Sequence, residues 1–296
     1  MSFDTWSNSS LTTVQICGHK FYLRYIKRDR RPSGFKGKRG TAVHKVALEA
    51  HKRQMVDLDR WTGTEPLMKE SPGSVRAGEE ARDIAADAFE AAMKEGVYVS
   101  ADDKAEGVAT VRAEQKDAAI DLSELYVNEI APPIRPAAVE RKISVKPKDS
   151  RITVQGYIDL VQDEPSTTEQ GQPTDESSDV IRDLKSAEKS PPEFAARVSQ
   201  QLTMYHLIRL AEVGKMPRAG RLVHLVRTPK KHDLKVVTQE TTRDHDDIAI
   251  LVRRINKAVE AVDKGVFIPA DPSAPGSPCG WCEYNDGTCE YVRRRP

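Results

Sequence analysis

Residues 151–185 read RITVQGYIDLVQDEPSTTEQGQPTDESSDVIRDLK, and the fold turns on how this stretch is divided. Arg151–Gln162 and Val180–Leu184 are rich in β-branched and aliphatic residues and are predicted strands. Gly156-Tyr157-Ile158-Asp159 ends the first, and Asp183-Leu184-Lys185 ends the second. Two carboxylates carried to one edge of a twisted sheet can share a divalent cation. A hard ion such as Mg2+ takes a few such oxygens and keeps waters for a substrate phosphate. Lys185 stands two residues beyond Asp183, on the same strand face. There its ammonium can orient the attacking water and stabilise negative charge in a phosphoryl-transfer transition state. An isolated Asp-x-Lys triplet usually means a surface ion pair; a second strand-end Asp shifts the balance towards a site. Between the two strands, residues 163–179 hold six acids and no base and read as a flexible acidic loop.

Working outward, Ala138–Val145 is a further predicted strand, forming a hairpin with Arg151–Gln162 around Pro147–Ser150. On the N-terminal side the period is helical. Leu11–Tyr25 repeats apolar residues at three- and four-residue steps, Thr41–Met55 forms a second helix, and Ala/Glu-rich helices cover about 76–95 and 109–129. Pro132, Pro133 and Pro136 stop the last of these. On the C-terminal side, Pro192–Val213 is a predicted helix, Gly220–Arg227 and His232–Thr241 are paired strands, and 244–264 is amphipathic helix. The remainder, 265–296, is an irregular Gly/Pro/Cys-rich cap. The order of elements makes an α/β domain with a helical insertion.

The chain has 296 residues, 31% charged and 38% hydrophobic, with a formal net charge of +1. Its apolar runs are short, which argues against a membrane span, and the first residues lack the pattern of a secretion signal. A cytoplasmic, reducing setting is expected. The near-neutral charge excludes a basic surface spread over the whole molecule, but residues 27–40 (KRDRRPSGFKGKRG) carry seven Lys/Arg, and the tail ends in Arg293–Arg295. Such a run is usually a solvated face; leading as it does to His44, it is also a candidate phosphate-contacting track. His44 lies among apolar Val43, Val46 and Ala47. A lone helical His is more often structural, and it becomes a ligand candidate because the two aspartates leave a metal short of donors. Gln201 and Tyr205 fall one helical turn apart on a common face.

The four cysteines are Cys17, alone, and Cys279, Cys282 and Cys289, spaced C-x2-C-x6-C. This suits a metal centre better than disulfides, because two thiolates on one tight turn can face a single ion or cluster. Spacing alone leaves iron–sulfur and structural Zn2+ both open.

Ser10-Leu11 through Cys17 and Phe21-Tyr22, Gly40…His44, Gly156…Asp159, Asp183-Leu184-Lys185, Gln201…Tyr205 and the three C-terminal cysteines together resemble the RecB-type branch of the PD-(D/E)xK nuclease family. The resemblance is to its iron–sulfur exonucleases, including the four-cysteine CRISPR-associated kind. It implies a restriction-endonuclease-like central mixed β-sheet flanked by helices, as a single nuclease domain over 1–296. Residues 60–130 would be the helical insertion, and 265–296 with Cys17 the C-terminal iron–sulfur cap. It further implies that His44, Asp159, Asp183 and the carbonyl of Leu184 hold Mg2+ or Mn2+. Lys185 would be catalytic, with Gln201 and Tyr205 as the family's Q-x-x-x-Y pair and Glu140 as an auxiliary acid. The four cysteines would hold a [4Fe-4S] cluster, with structural Zn2+ as the alternative. The implied activity is a DNA exonuclease hydrolysing phosphodiester bonds on single-stranded ends with 5'-to-3' polarity, in phage or prokaryotic replication, recombination, repair or CRISPR processing. No G-x-x-x-x-G-K-[ST] stretch is present, so unwinding would need a helicase or another recombination or replication protein as partner. The rival readings are a DNA-end-binding protein with a degenerate site and a zinc-stabilised interaction protein.

Overall fold

In the computed structural model, which describes residues 3–147, 150–167 and 173–292, six strands make one mixed sheet. They are β1 (Thr5–Trp6), β2 (Pro136–Val145), β3 (Thr153–Thr167), β4 (Pro173–Ala187), β5 (Ala219–Arg227) and β6 (Leu234–Thr241). Apolar side chains alternate along β5, so Leu222 points into one core and Val223 into the other. Helices α1 (Asn8–Ile16), α2 (Gly18–Phe21), α7 (Gln200–Val213) and α8 (His245–Asp263) cover the first face, where Leu11, Phe21, Leu202 and Leu251 meet Ile158 and Ile181. Helices α3 (Phe35–Asp57) and α6 (Val108–Leu125) cover the second, with Val43, Ala47 and Leu122 on Leu184, Val223 and Leu225. Helix α4 (Val75–Lys94) packs its alanines behind α3, against Val46 and Ala50, and α5 (Ala101–Glu106) leads from it to α6.

The topology opens the sheet at one place. Strand β2 runs antiparallel along one edge of β3, from Val145 opposite Val154 to Pro136 opposite Gln162. The other edge is shared: β1 pairs parallel with Thr153 and Val154, and β4 pairs antiparallel only from Leu160 onward. Residues 155–159 therefore have no strand partner on that edge among the described residues. Beyond Arg182, β4 leans on β5, pairing Asp183 with Leu222 and Lys185 with His224. The result is a wedge between β3 and β4.

Several boundaries differ from the sequence expectations. Asp159 and Asp183 lie inside their strands, at the mouth of the wedge, because both strands continue on other partners. The acidic stretch 163–179 is largely strand rather than loop, with Asp163 opposite Asp179 and Glu164 opposite Ser178; residues 168–172 lie outside the described residues. Two of its acids are paired with arginines: Glu164 with Arg218 and Arg221, and Asp179 with Arg209 at 2.6 Å. The helix expected over 11–25 breaks at Cys17, whose extended backbone (φ −157°) ends α1 and starts α2. Helix α7 starts at Gln200, not Pro192. The buried Arg243 guanidinium donates to the carbonyls of Ala196, Arg197 and Ser199, holding that segment as a turn until Ser199 caps the helix. Strands β2 and β3 pair as the expected hairpin, and β5 and β6 pair antiparallel, also as expected. No helix among the described residues is long and apolar enough to cross a membrane.

Candidate functional site

The wedge gathers side chains from four elements. Asp159 of β3 accepts the backbone N–H of Leu184 at 3.0 Å through Oδ2, tying the strands where their ladder stops. Its Oδ1 lies 3.5 Å from Nδ1 of His44 on α3. Asp183 is fully buried, with Oδ2 at 2.7 Å from Lys185 Nζ. Neither Asp183 oxygen accepts a well-directed hydrogen bond, so the close Lys185 ammonium acts on it chiefly through its charge. Lys185 Nζ donates to Gln201 Oε1 at 2.8 Å, and Gln201 Nε2 donates to Tyr205 Oη at 2.6 Å. The Q-x-x-x-Y pair thus faces the lysine, and Tyr205, 5% exposed, is largely withdrawn from solvent.

Glycine explains how α7 comes so close. A Cβ at Gly156 would stand 2.7 Å from Ile208 Cδ1 and 3.3 Å from the Tyr205 ring. Gly156 is therefore what lets α7 seat on β3 beside Asp159. Gly40 has no such constraint, since a Cβ there would meet only Ser186 Oγ, at 3.7 Å.

Electrostatically the site is short of positive charge. Burial pushes the Asp183 carboxyl up, and Asp159 adds to this, while Lys185 and His44 only partly oppose it. Glu140 on β2 is also raised, by burial and then by Asp159. It sits in left-handed backbone (φ 40°) between Val139 and Arg141, which pair with Leu160 and Ile158 and so set it across from Asp159. A non-glycine residue in that region is strained, and like charges across a strand pair repel. His44 is desolvated by burial, yet the Asp159 carboxylate, and then Asp183, raise its pKa above the ordinary value. Among the described residues no three His, Cys, Asp or Glu side chains stand close enough to hold a metal ion as they are. The donor chemistry nevertheless fits a hard cation: a buried carboxylate without a well-directed hydrogen bond, and the carboxylates of Asp159 and Glu140 on adjoining strands, lining one pocket.

A small cavity of about 20 Å3 is lined by all four cysteines, His19, Lys20 and Tyr284. The cysteines are free thiols. Cys17 Sγ accepts the backbone N–H groups of Lys20 at 3.4 Å and Ala270 at 3.3 Å. Burial raises the Cys282 thiol, with Glu283 and then Cys17 adding to it and the Tyr284 N–H and Lys20 opposing it. The chain ends are tied here by Lys20 and Arg24 to Glu283, by Arg31 to Asp286 and by Tyr284 Oη donating to the Asp29 carbonyl. Cys17 and the three C-terminal cysteines thus line one space, with residues 293–296 outside the described residues.

The basic run 27–40 is not one track. Lys38 and Arg39 are buried, 4% and 3% exposed. Arg39 donates to the Ser186 carbonyl at 3.1 Å and to Gln115 at 2.8 Å, fixing β4 just past Lys185. Sequence reading missed this role, and the Arg-rich composition gives no hint of it, because only packing separates Arg39 from its solvated neighbours. Arg293–Arg295 lie outside the described residues.

Comparison with curated proteins gives no match. Among solved structures, one described as a "Putative exonuclease" from Eubacterium rectale is 10% identical, with a TM-score of 0.42 over 99% of this chain and 90% of that one. Another, described as SSO0001, is 13% identical, with a TM-score of 0.33 over 81% of this chain and 94% of that one. The family comparison reaches across nearly the whole chain: residues 5–289 match the model of the PD-(D/E)XK nuclease superfamily, and the chain belongs to that superfamily.

Proposed function

We propose that the protein is a metal-dependent deoxyribonuclease, an exonuclease acting on single-stranded DNA ends with 5'-to-3' polarity. The observation that carries this reading is the wedge itself, where Asp159, the unbonded buried carboxylate of Asp183 and Lys185 converge. The residues fitted to hold Mg2+ or Mn2+ are Asp159, Asp183 and His44, with the Leu184 carbonyl as a further donor and Glu140 across the strand pair. Such an ion, when bound, would neutralise phosphate charge and make a nucleophile of water at neutral pH. Lys185 acts beside it: its ammonium, fixed by Gln201, faces the carboxylates and stabilises charge that builds on the phosphate oxygens. Tyr205 holds Gln201 in turn, so the pair positions the lysine. The setting proposed is phage or prokaryotic replication, recombination, repair or CRISPR processing, in the cytoplasm, with a separate helicase where duplex must be opened.

For the four cysteines we propose a [4Fe-4S] cluster that fastens the two chain ends together. The shared cavity and the two N–H groups directed at Cys17 Sγ support a thiolate centre. Iron and acid-labile sulfide in similar amounts in anaerobically purified protein would agree with a cluster, and one zinc without sulfide would overturn it. The activity is tested with end-labelled single strands, duplexes and closed circles, with and without Mn2+. Labelled mononucleotide or short product from the 5' end of linear single strands only is expected. Cleavage of closed circles, or metal-independent cleavage, would overturn the exonuclease reading.

A further inference from the structure

The arginines near the N-terminus are sorted by the fold into two sets. Arg31 turns to Asp29 and Asp286, Lys36 to Glu188, and Lys38 and Arg39 are buried. Arg28 and Arg30 remain exposed and make no ion pair among the described residues. With Arg24 they line a cavity of about 660 Å3, whose other walls are Phe3, Asp4, Thr5, Tyr25 and Ile26. The acid on that wall, Asp4, is taken by Arg151 at 2.6 Å, and Arg24 shares Glu283 with Lys20.

The loop that presents these groups is held firmly. Residues 22–26 form a π-helical turn closed by the Lys27 N–H on the Tyr22 carbonyl at 2.8 Å. Asp29 N–H then returns to the Leu23 carbonyl at 3.0 Å, which requires Arg28 to take left-handed backbone (φ 61°). Tyr284 donates to the Asp29 carbonyl from the cysteine cap. Strain of this kind in a non-glycine residue concentrates where side chains are aimed at ligands.

We propose that Arg24, Arg28 and Arg30 form a phosphate-binding cup for the backbone of the substrate strand, separate from the catalytic wedge. This rests on the nuclease reading. Guanidinium groups converging on an open cavity with its acid already paired suit phosphate oxygens, which they meet in a bidentate fork. The cup adjoins Thr5, which pairs with Thr153, six residues before Asp159 on β3. At strand rise, a nucleic-acid strand touching both would span roughly 20 Å. The cup therefore holds the strand several nucleotides from the scissile bond and contributes affinity rather than chemistry.

The test uses the full chain with Arg28→Gln and Arg30→Gln combined, leaving Arg24 on Glu283. Binding of a single-stranded DNA oligonucleotide is measured against salt in EDTA, and cleavage of saturating substrate in Mn2+. The log–log salt slope should flatten by about 1.4, or 0.7 for each lost phosphate contact, with the saturated rate unchanged. Lys257→Gln with Lys264→Gln, exposed residues on α8 and at its C-cap, should leave the slope as it was. An unchanged slope in the arginine variant, or equal flattening in the lysine control, overturns the cup. Equilibrium dialysis with inorganic phosphate separates the sources: arginine-dependent phosphate uptake with an unaltered DNA slope would assign the cup to free phosphate and overturn the strand assignment. A wild type that binds DNA through these arginines but cleaves nothing under any metal would keep the cup and remove the nuclease reading.

Discussion

At the scale of single residues, the wedge places two neighbouring groups in different surroundings. Asp183 is buried, unbonded except for the Lys185 charge, and shifted towards its neutral form. Lys185 is half-exposed and held by Gln201. Asp183→Asn should weaken divalent-metal binding and abolish cleavage, since it removes both a donor oxygen and the charge that a cation would balance. Lys185→Ala should leave Mn2+ affinity close to wild type and cost roughly 10²–10³ in rate, the loss typical of one preorganised charge-stabilising donor. Isothermal titration with Mn2+ beside single-turnover cleavage separates the two. Near-full activity in Lys185→Ala would remove the Asp-x-Lys assignment. His44, Asp159, Asp183, Lys185, Gln201 and Tyr205 were all legible as residue types at suggestive spacings. That Gln201 and Tyr205 face the lysine, and that Glu140 takes a strained backbone opposite Asp159, was not, because both depend on partners distant in sequence.

At the scale of elements, the approach of α7 to β3 decides whether Lys185 is positioned. The contact depends on Gly156, where even a methyl group must push into Ile208 and the Tyr205 ring. Gly156→Ala should therefore destabilise the fold by about 1–3 kcal/mol, the usual cost of overpacking a closed core. It should also lower the cleavage rate without changing metal affinity, because Tyr205 and Gln201 shift together. Urea unfolding midpoints and rates on saturating substrate would show this; a variant of wild-type stability and rate would mean that α7 seats without the glycine. Element types were largely readable from periodicity, and element limits were not. The acids of 163–179 suggested a loop, but Arg209, Arg218 and Arg221 neutralise Glu164 and Asp179, so the strands run on. The turn before α7 depends on Arg243, some forty residues later in the chain, which no local pattern could reveal.

At the scale of the whole molecule, the chain ends close on each other. Gly18 N–H donates to the Ile268 carbonyl at 2.7 Å, and a Cβ at Gly18 would stand 2.6 Å from the Ile268 nitrogen. Gly18→Ala should thus lift residues 265–292 from α2 and make that segment the first cut in limited proteolysis. An unaltered digestion pattern would show the cap to be fastened elsewhere. Stability should also fall in acid. His51, bonded to Gln54 and Tyr126 in the core beneath the wedge, and His206, under Gly220, are each lowered by burial to about 4 from 6.5. Both are neutral in the fold, so their contribution is complete above about pH 6.5 and is lost as pH falls from there to 4. At one pH unit per 1.36 kcal/mol the loss is at most about 3 kcal/mol for each. Urea midpoints measured from pH 7 to 4 should fall over that window, and less steeply in His206→Leu. An equal slope in that variant would place the proton uptake on other groups.

Sequence by itself determined the α/β class, the order of the longer helices and strands, and the residue types proposed for the chemistry, because periodicity and side-chain chemistry are local properties. Tertiary structure alone decided which of these residues meet. It opened the wedge by giving one edge of β3 to two different strands, buried Lys38 and Arg39 while leaving Arg28 and Arg30 on a cavity, and drew Cys17 to the three C-terminal cysteines. The physical reason is the same in each case. Burial and pairing of a charge depend on what packs against it, and those partners lie tens to hundreds of residues away along the chain.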